Sequence, residues 1–183
     1  MGWDVDGVKG ESRWIKLLYS RAAGVLVAQF ERDVGPGVVR SLYVRERDAT
    51  EYRRVFGDDD LRTAHDVVLR TESTVAFFLV MVRRNANSSG YDIERIARLD
   101  LCTGEVTTAL DMQTYRKKND DGWVADLIDV ENDDRTMLCR TASWRTPKPA
   151  AGPRLGGVGY WLSRVNLDTA ALERITYLPH TGF

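Results

Sequence analysis

Cysteine, histidine and proline are scarce in this chain of 183 residues, which holds two, two and five of them. Cys102 and Cys139 form no Cys-x-x-Cys pair. That excludes a thiolate zinc site and a secreted scaffold stapled by several disulfides. Both read as reduced thiols in or near a core. The imidazoles are His65 and His180, and no Gly-x-Ser-x-Gly turn occurs, so a serine hydrolase lacks both its elbow and an obvious base. An excess of either charge is missing too. Twenty-six basic and 27 acidic residues leave a formal net charge of −1, so nucleic acid, whose phosphates demand a basic surplus, is not the expected partner. Long apolar runs are also absent. The longest, 75–82, is far too short to cross a bilayer, and the start shows no basic stretch leading into an apolar one. These absences predict a soluble, cytoplasmic chain that needs no cofactor. A preference for arginine over lysine fits a GC-rich bacterial genome.

Acidic runs are present, at Asp58-Asp59-Asp60 and Glu131-Asn132-Asp133-Asp134. They lack the alternating ligands, central glycine and closing glutamate of a calcium loop, so they read as solvated turns, and no metal site is expected. What dominates instead is strand. Short runs rich in Val, Ile, Leu and aromatics span 14–19, 25–30, 38–45 and 51–56. The same order returns at 65–69, 75–82, 92–101 and 105–110, and again at 123–130, 136–142, 159–167 and 172–178. No window of a dozen residues carries a clean helical period, so no long helix is predicted. In each pass the loop between the second and third strands is richest in breakers: Gly35-Pro36-Gly37, then 85–90, then 146–157. Lys16-Leu17-Leu18, Asp66-Val67-Val68 and Asp126-Leu127-Ile128 hold matching places in the first strands. Three repeat units follow, about 12–57, 63–111 and 122–179, within one domain spanning 1–183.

The segment Asp100-Leu101-Cys102-Thr103-Gly104 resembles the Asp-Leu-x-Thr-Gly turn that joins the third and fourth strands of TolB-type β-propeller blades. Asn166-Leu167-Asp168-Thr169-Ala170 is a weaker copy, and 45–50 weaker still. The resemblance implies an all-β fold of three four-stranded antiparallel blade-like units, half of a β-propeller. Propellers close with about four to eight blades. Three must therefore borrow surface, most simply from a second copy in a two-fold homodimer, or else from another blade-supplying protein. The alternative architecture is a single curled β-meander or barrel.

In a propeller the first strands line the channel, which would gather Lys16, His65, Asp66 and Asp126 near its mouth as a candidate ligand site. The plainer assignment, strand-end side chains bonded to backbone or water, is preferred. The proline-rich stretch after the tenth strand run, with Trp144, Arg145, Pro147, Pro149 and Arg154, is a candidate interaction loop, because long ordered loops often carry function. No catalytic residue is assigned. The sequence thus predicts a non-catalytic protein-binding or assembly scaffold. The alternative is a small-ligand or glycan-binding module using the channel, with a hydrolase or lyase further behind.

Overall fold

The structure is a computed structural model that describes residues 12–34, 37–57, 61–84, 90–119, 122–143 and 159–178. The first of its three four-stranded sheets holds β1 (Ser12–Ser20), β2 (Val25–Val34), β3 (Gly37–Glu46) and β4 (Arg53–Phe56). The second holds β5 (Arg62–Leu69), β6 (Val75–Arg83), β7 (Tyr91–Asp100) and β8 (Val106–Asp111). After a short helix α1 (Met112–Lys118), the third holds β9 (Trp123–Val130), β10 (Thr136–Ser143), β11 (Gly159–Asn166) and β12 (Leu172–Leu178). Each sheet is an antiparallel meander in chain order, and no ladder joins one sheet to another among the described residues. The single curled barrel is thereby set aside.

The sheets stack face to face. On β6, Ala76, Phe78 and Val80 pack with Val25, Val27, Leu42 and Val44 of the first sheet. The alternate residues Val75, Phe77 and Leu79 pack with Leu127, Met137, Cys139 and Val165 of the third. Period-two alternation therefore sends both sets into cores, and Phe77, Phe78 and Leu79 are each 0% exposed. This is why β6 reads as an unbroken apolar run, whereas β12 exposes Glu173 to Thr176 at the edge of its sheet.

The repeat is exact in its hydrogen bonding. Arg47 N donates to Gly24 O at 2.9 Å, Leu101 N to Thr74 O at 2.9 Å, and Leu167 N to Arg135 O at 2.8 Å. In every sheet the turn before the fourth strand is thus tied to the turn before the second. The Asp-Leu-x-Thr-Gly residues each have a task. Asp100 Oδ1 accepts from Cys102 N and Thr103 N, both at 3.0 Å, and these bonds, that from Thr103 foremost, hold its carboxyl below the usual range. Leu101 is buried, and Gly104 takes φ +76. In the third sheet Asn166 Oδ1 accepts from Thr169 N at 2.8 Å, Leu167 is buried, and Ala170 takes φ +56. Since alanine already occupies this left-handed position, Gly104→Ala is expected to cost about 1 kcal/mol without unfolding the chain, as measured by urea denaturation. A new Cβ would come within 2.6 Å of the Arg53 guanidinium, the far end of a side chain free to swing aside.

One expectation needs correction. Cys102 is exposed on this turn, and only Cys139 is a core thiol. The helix α1, though, has seven residues, too few to register as a period. Asp111 caps it by accepting from Thr114 N at 2.9 Å, and Met112 and Tyr115, three apart, bury one face. At its other end Lys118 Nζ donates to Thr169 O at 2.6 Å and Asn119 Nδ2 to Ala170 O at 2.9 Å. The helix therefore clamps the second sheet to the last turn of the third.

Candidate functional site

The first strands of the three sheets gather along one side of the stack, with β5 lying against β9 and also against β1. Each carries a register break: between Trp14 and Lys16 on β1, between His65 and Val68 on β5, and opposite the Arg140/Thr141 step on β9. The break on β5 holds Asp66 at φ +48. Polar side chains at these breaks bridge the sheets. Lys16 Nζ donates to Val67 O at 2.6 Å, and Leu127 N donates to Asp66 Oδ2 at 3.4 Å. Asp126 instead pairs with Arg140 of its own sheet. Burial pushes the Asp66 carboxyl up, and the like charge of Asp126 adds to it, with Lys16 opposing. Lys16, Asp66 and Asp126 are thus brought to one edge. Cys139 lies beneath them; burial, then the charges of Asp126 and Asp66, push its thiol up, which keeps it an inert SH.

His65 is directed elsewhere, into the seam between the first and second sheets. Its Nδ1 stands 2.5 Å from an Arg40 guanidinium nitrogen. A guanidinium can only donate, so Nδ1 accepts and the ring proton sits on Nε2, which is buried without a partner. Burial, reinforced by the Arg40 charge, lowers the His65 pKa to about 4. Arg40 Nε also donates to Glu31 Oε2 at 2.8 Å, and Arg13 donates to Glu31 Oε1 at 2.9 and 3.1 Å. Burial pulls the Glu31 carboxyl upward, but the bonds from Arg40 and Arg13 outweigh it and leave it below its ordinary value. Around this ion cluster Gln29 Nε2 donates to Ala64 O at 2.6 Å, Arg40 N to Thr63 Oγ1 at 2.7 Å, and Tyr91 Oη to Val38 O at 2.5 Å. The sequence reading missed the cluster. Its one signal is that Gln29 and Glu31 continue the inward phase of Val25 and Val27 on β2.

A cleft of about 340 Å³ opens between the second and third sheets, with Phe77 and Leu167 among its apolar lining and Arg98, Asp134, Arg135 and Asp168 among its charged lining. Asp134 Oδ2 accepts from Ser73 Oγ at 3.1 Å, while its Oδ1 is buried without a partner. Among the described residues no group of three His, Cys, Asp or Glu side chains is placed to hold a metal ion, and no helix is long and apolar enough to cross a membrane. The candidate loop residues Trp144, Arg145, Pro147, Pro149 and Arg154 lie outside the described residues.

No family model matches the sequence, and no curated protein matches it. Solved structures do. An acylaminoacyl peptidase in complex with a chloromethyl ketone aligns over 93% of this chain and 26% of its own, at 9% identity and a TM-score of 0.57. The acylaminoacyl peptidase of Pyrococcus horikoshii aligns over 99% and 27%, at 9% identity and a TM-score of 0.59. The β-propeller domain of the trilobed protease of Pyrococcus furiosus aligns over 93% and 44%, at 10% identity and a TM-score of 0.49. The chain spans about a quarter of the length of the two peptidase chains. At such identities the likeness speaks for fold alone. Together with three four-stranded meanders packed face to face beside their first strands, it makes this chain an unclosed, three-bladed part of a β-propeller.

Proposed function

We propose that the chain is a non-catalytic binding and assembly module of TolB-type blades that completes its ring with a second copy of itself. The observation that supports this most is the repetition of the seams. The first two blades each set their β2-type residues in the phase of Val25 and Val27 against the next blade, which answers with the phase of Ala76 and Phe78. On the third blade the first phase, Leu138 and Leu162 beside Arg140 and Arg164, carries no further blade among the described residues. On the first blade the second phase, Ala28 and Phe30, is 0% and 6% exposed, with Trp14 and Tyr52 packed against it, and no other blade of the described residues packs there. There Trp14, Phe30, Tyr43 and Tyr52 stack on one another, their ring centroids 5.0 to 6.1 Å apart. Apolar side chains stand exposed on the first strands of both terminal blades, Leu17 at 58%, Tyr19 at 44% and Ile128 at 48%, and closure by a second copy would cover them. A two-fold ring uses the same seam twice and leaves no terminal face. Light scattering during size-exclusion chromatography is expected to give twice the 20.7 kDa of the chain. A mass of one chain at every concentration would sink the reading.

A small-ligand role at the channel is the second reading, supported by the raised Asp66 carboxyl beside Asp126. Its test is a saturable shift of the Leu127 amide resonance on titration with neutral and cationic saccharides.

A further inference from the structure

Two of the three blades reach the following blade from the same place on the first strand. Lys16 bonds the peptide oxygen of Val67, and Asp66 bonds the peptide nitrogen of Leu127. The acceptor and donor sit one residue beyond the matching positions, Asp66 and Asp126. The third blade has Asp126 at that place, and among the described residues no further blade lies beside it. We infer that on ring closure Asp126 of one copy accepts a hydrogen bond from the backbone N–H of Leu17 of the second copy, an inference that rests on the self-closure proposed above.

The register picks out Leu17. Leu127 lies opposite Cys139, four residues after Arg135, whose carbonyl accepts the turn bond of its sheet. Leu17 lies opposite Ala28, four residues after Gly24, whose carbonyl accepts the equivalent bond. The two leucines therefore occupy the same point of their ladders. At Leu127 the N–H turns off the ladder, toward the preceding blade. Antiparallel strands alternate their N–H groups between the two sides, so the same phase points the Leu17 N–H at the open edge of β1. β1 and β9 are both outermost strands of their sheets, with no ladder beyond them among the described residues. Asp126 has the capacity for the bond. Arg140 takes its Oδ2, leaving Oδ1, and its side chain is 37% exposed. Two-fold symmetry makes the bond twice per ring.

Amide exchange by NMR and dimer dissociation by light scattering test this together. In the dimer the Leu17 amide is expected to be protected, and in Asp126→Ala it exchanges freely while the dissociation constant rises about a hundredfold, as two charge-assisted bonds vanish. Asp126→Asn keeps an acceptor and should keep most of the protection. Asp66→Ala, which cuts a bond inside one chain, should leave the Leu17 amide protected. A dimer in which Leu17 exchanges freely, or in which Asp126→Ala changes nothing, overturns this contact and leaves the closure reading intact. A monomeric wild-type chain overturns the closure reading itself.

Discussion

Phe77→Ala is expected to lower stability by about 3–5 kcal/mol, the range for emptying an aromatic side chain from a packed core. Phe77 is 0% exposed and stands between the second and third blades among Leu79, Met137, Cys139 and Val165. It also lines the cleft, so its loss would open the seam to water as well as leave a cavity. Because stacked repeats are held chiefly by their nearest neighbours, the damage should be directional. Amides of β9, β10 and β11 are expected to lose exchange protection at lower urea than those of β2 and β3. Phe78→Ala, on the opposite face of β6, should instead uncouple the first blade. Ile175→Ala, at a side chain 44% exposed, should change stability by less than about 0.5 kcal/mol. Equal loss of protection in all three sheets for both phenylalanine variants would show that the stack unfolds as one unit and that the nearest-neighbour picture fails.

The strands were legible because each blade repeats the same problem of burying one or both faces of a pleated sheet. The apolar run of β6 and the exposed mixture of β12 already separate a middle strand from an outer one. The Asp100 and Asn166 turns were legible for a related reason. An Asx side chain, a buried leucine and a left-handed closing residue are local requirements, met within five consecutive positions. The helix α1 was not legible, since two buried residues three apart look the same in a strand boundary as in a single helical turn. Of the four candidate channel residues, Lys16, Asp66 and Asp126 hold matching places in the repeats, and the structure brings these three to one edge. His65, next to Asp66 in sequence, carries nothing in the sequence that separates it from that group. A strand sends adjacent residues to opposite sides, and the register break on β5 then fixes which side each takes. No one-dimensional pattern shows such a break. The Glu31–Arg40–His65 cluster was invisible for a further reason. Its members come from β2, β3 and β5, and only the stacking of two blades brings them together.

That cluster makes acid the agent that should separate the first two blades. His65 has a pKa of about 4 in the folded chain against its ordinary 6.5. Between those values the unfolded chain binds a proton that the folded chain refuses, so stability is complete above pH 6.5 and falls as the pH drops toward 4. The loss should reach about 2–3 kcal/mol. The lowered Glu31 carboxyl adds to it once the pH passes below its ordinary value of 4.5, because protonation then cancels its bonds to Arg40 and Arg13. The raised Asp66 carboxyl works the other way, gaining its proton early in the folded chain and easing its repulsion from Asp126. Subtracting a variant isolates the histidine. In His65→Asn, which still offers Arg40 an acceptor, stability measured by urea at pH 7, 6, 5 and 4.5 should fall less steeply than in the wild type over that interval. Arg40→Met is the harsher change. It leaves the Glu31 carboxylate, 8% exposed, with Arg13 as its remaining ion-pair partner in the seam, at a cost of about 1.5–3 kcal/mol at pH 7, the range for one lost hydrogen bond to a charged group. It also lifts the positive charge from His65, whose pKa should rise toward 6.5, so the variant is expected to be weaker at neutral pH yet less sensitive to acid. A wild-type chain whose stability is flat from pH 7 to 5 would mean that His65 is not the buried, neutral acceptor drawn here.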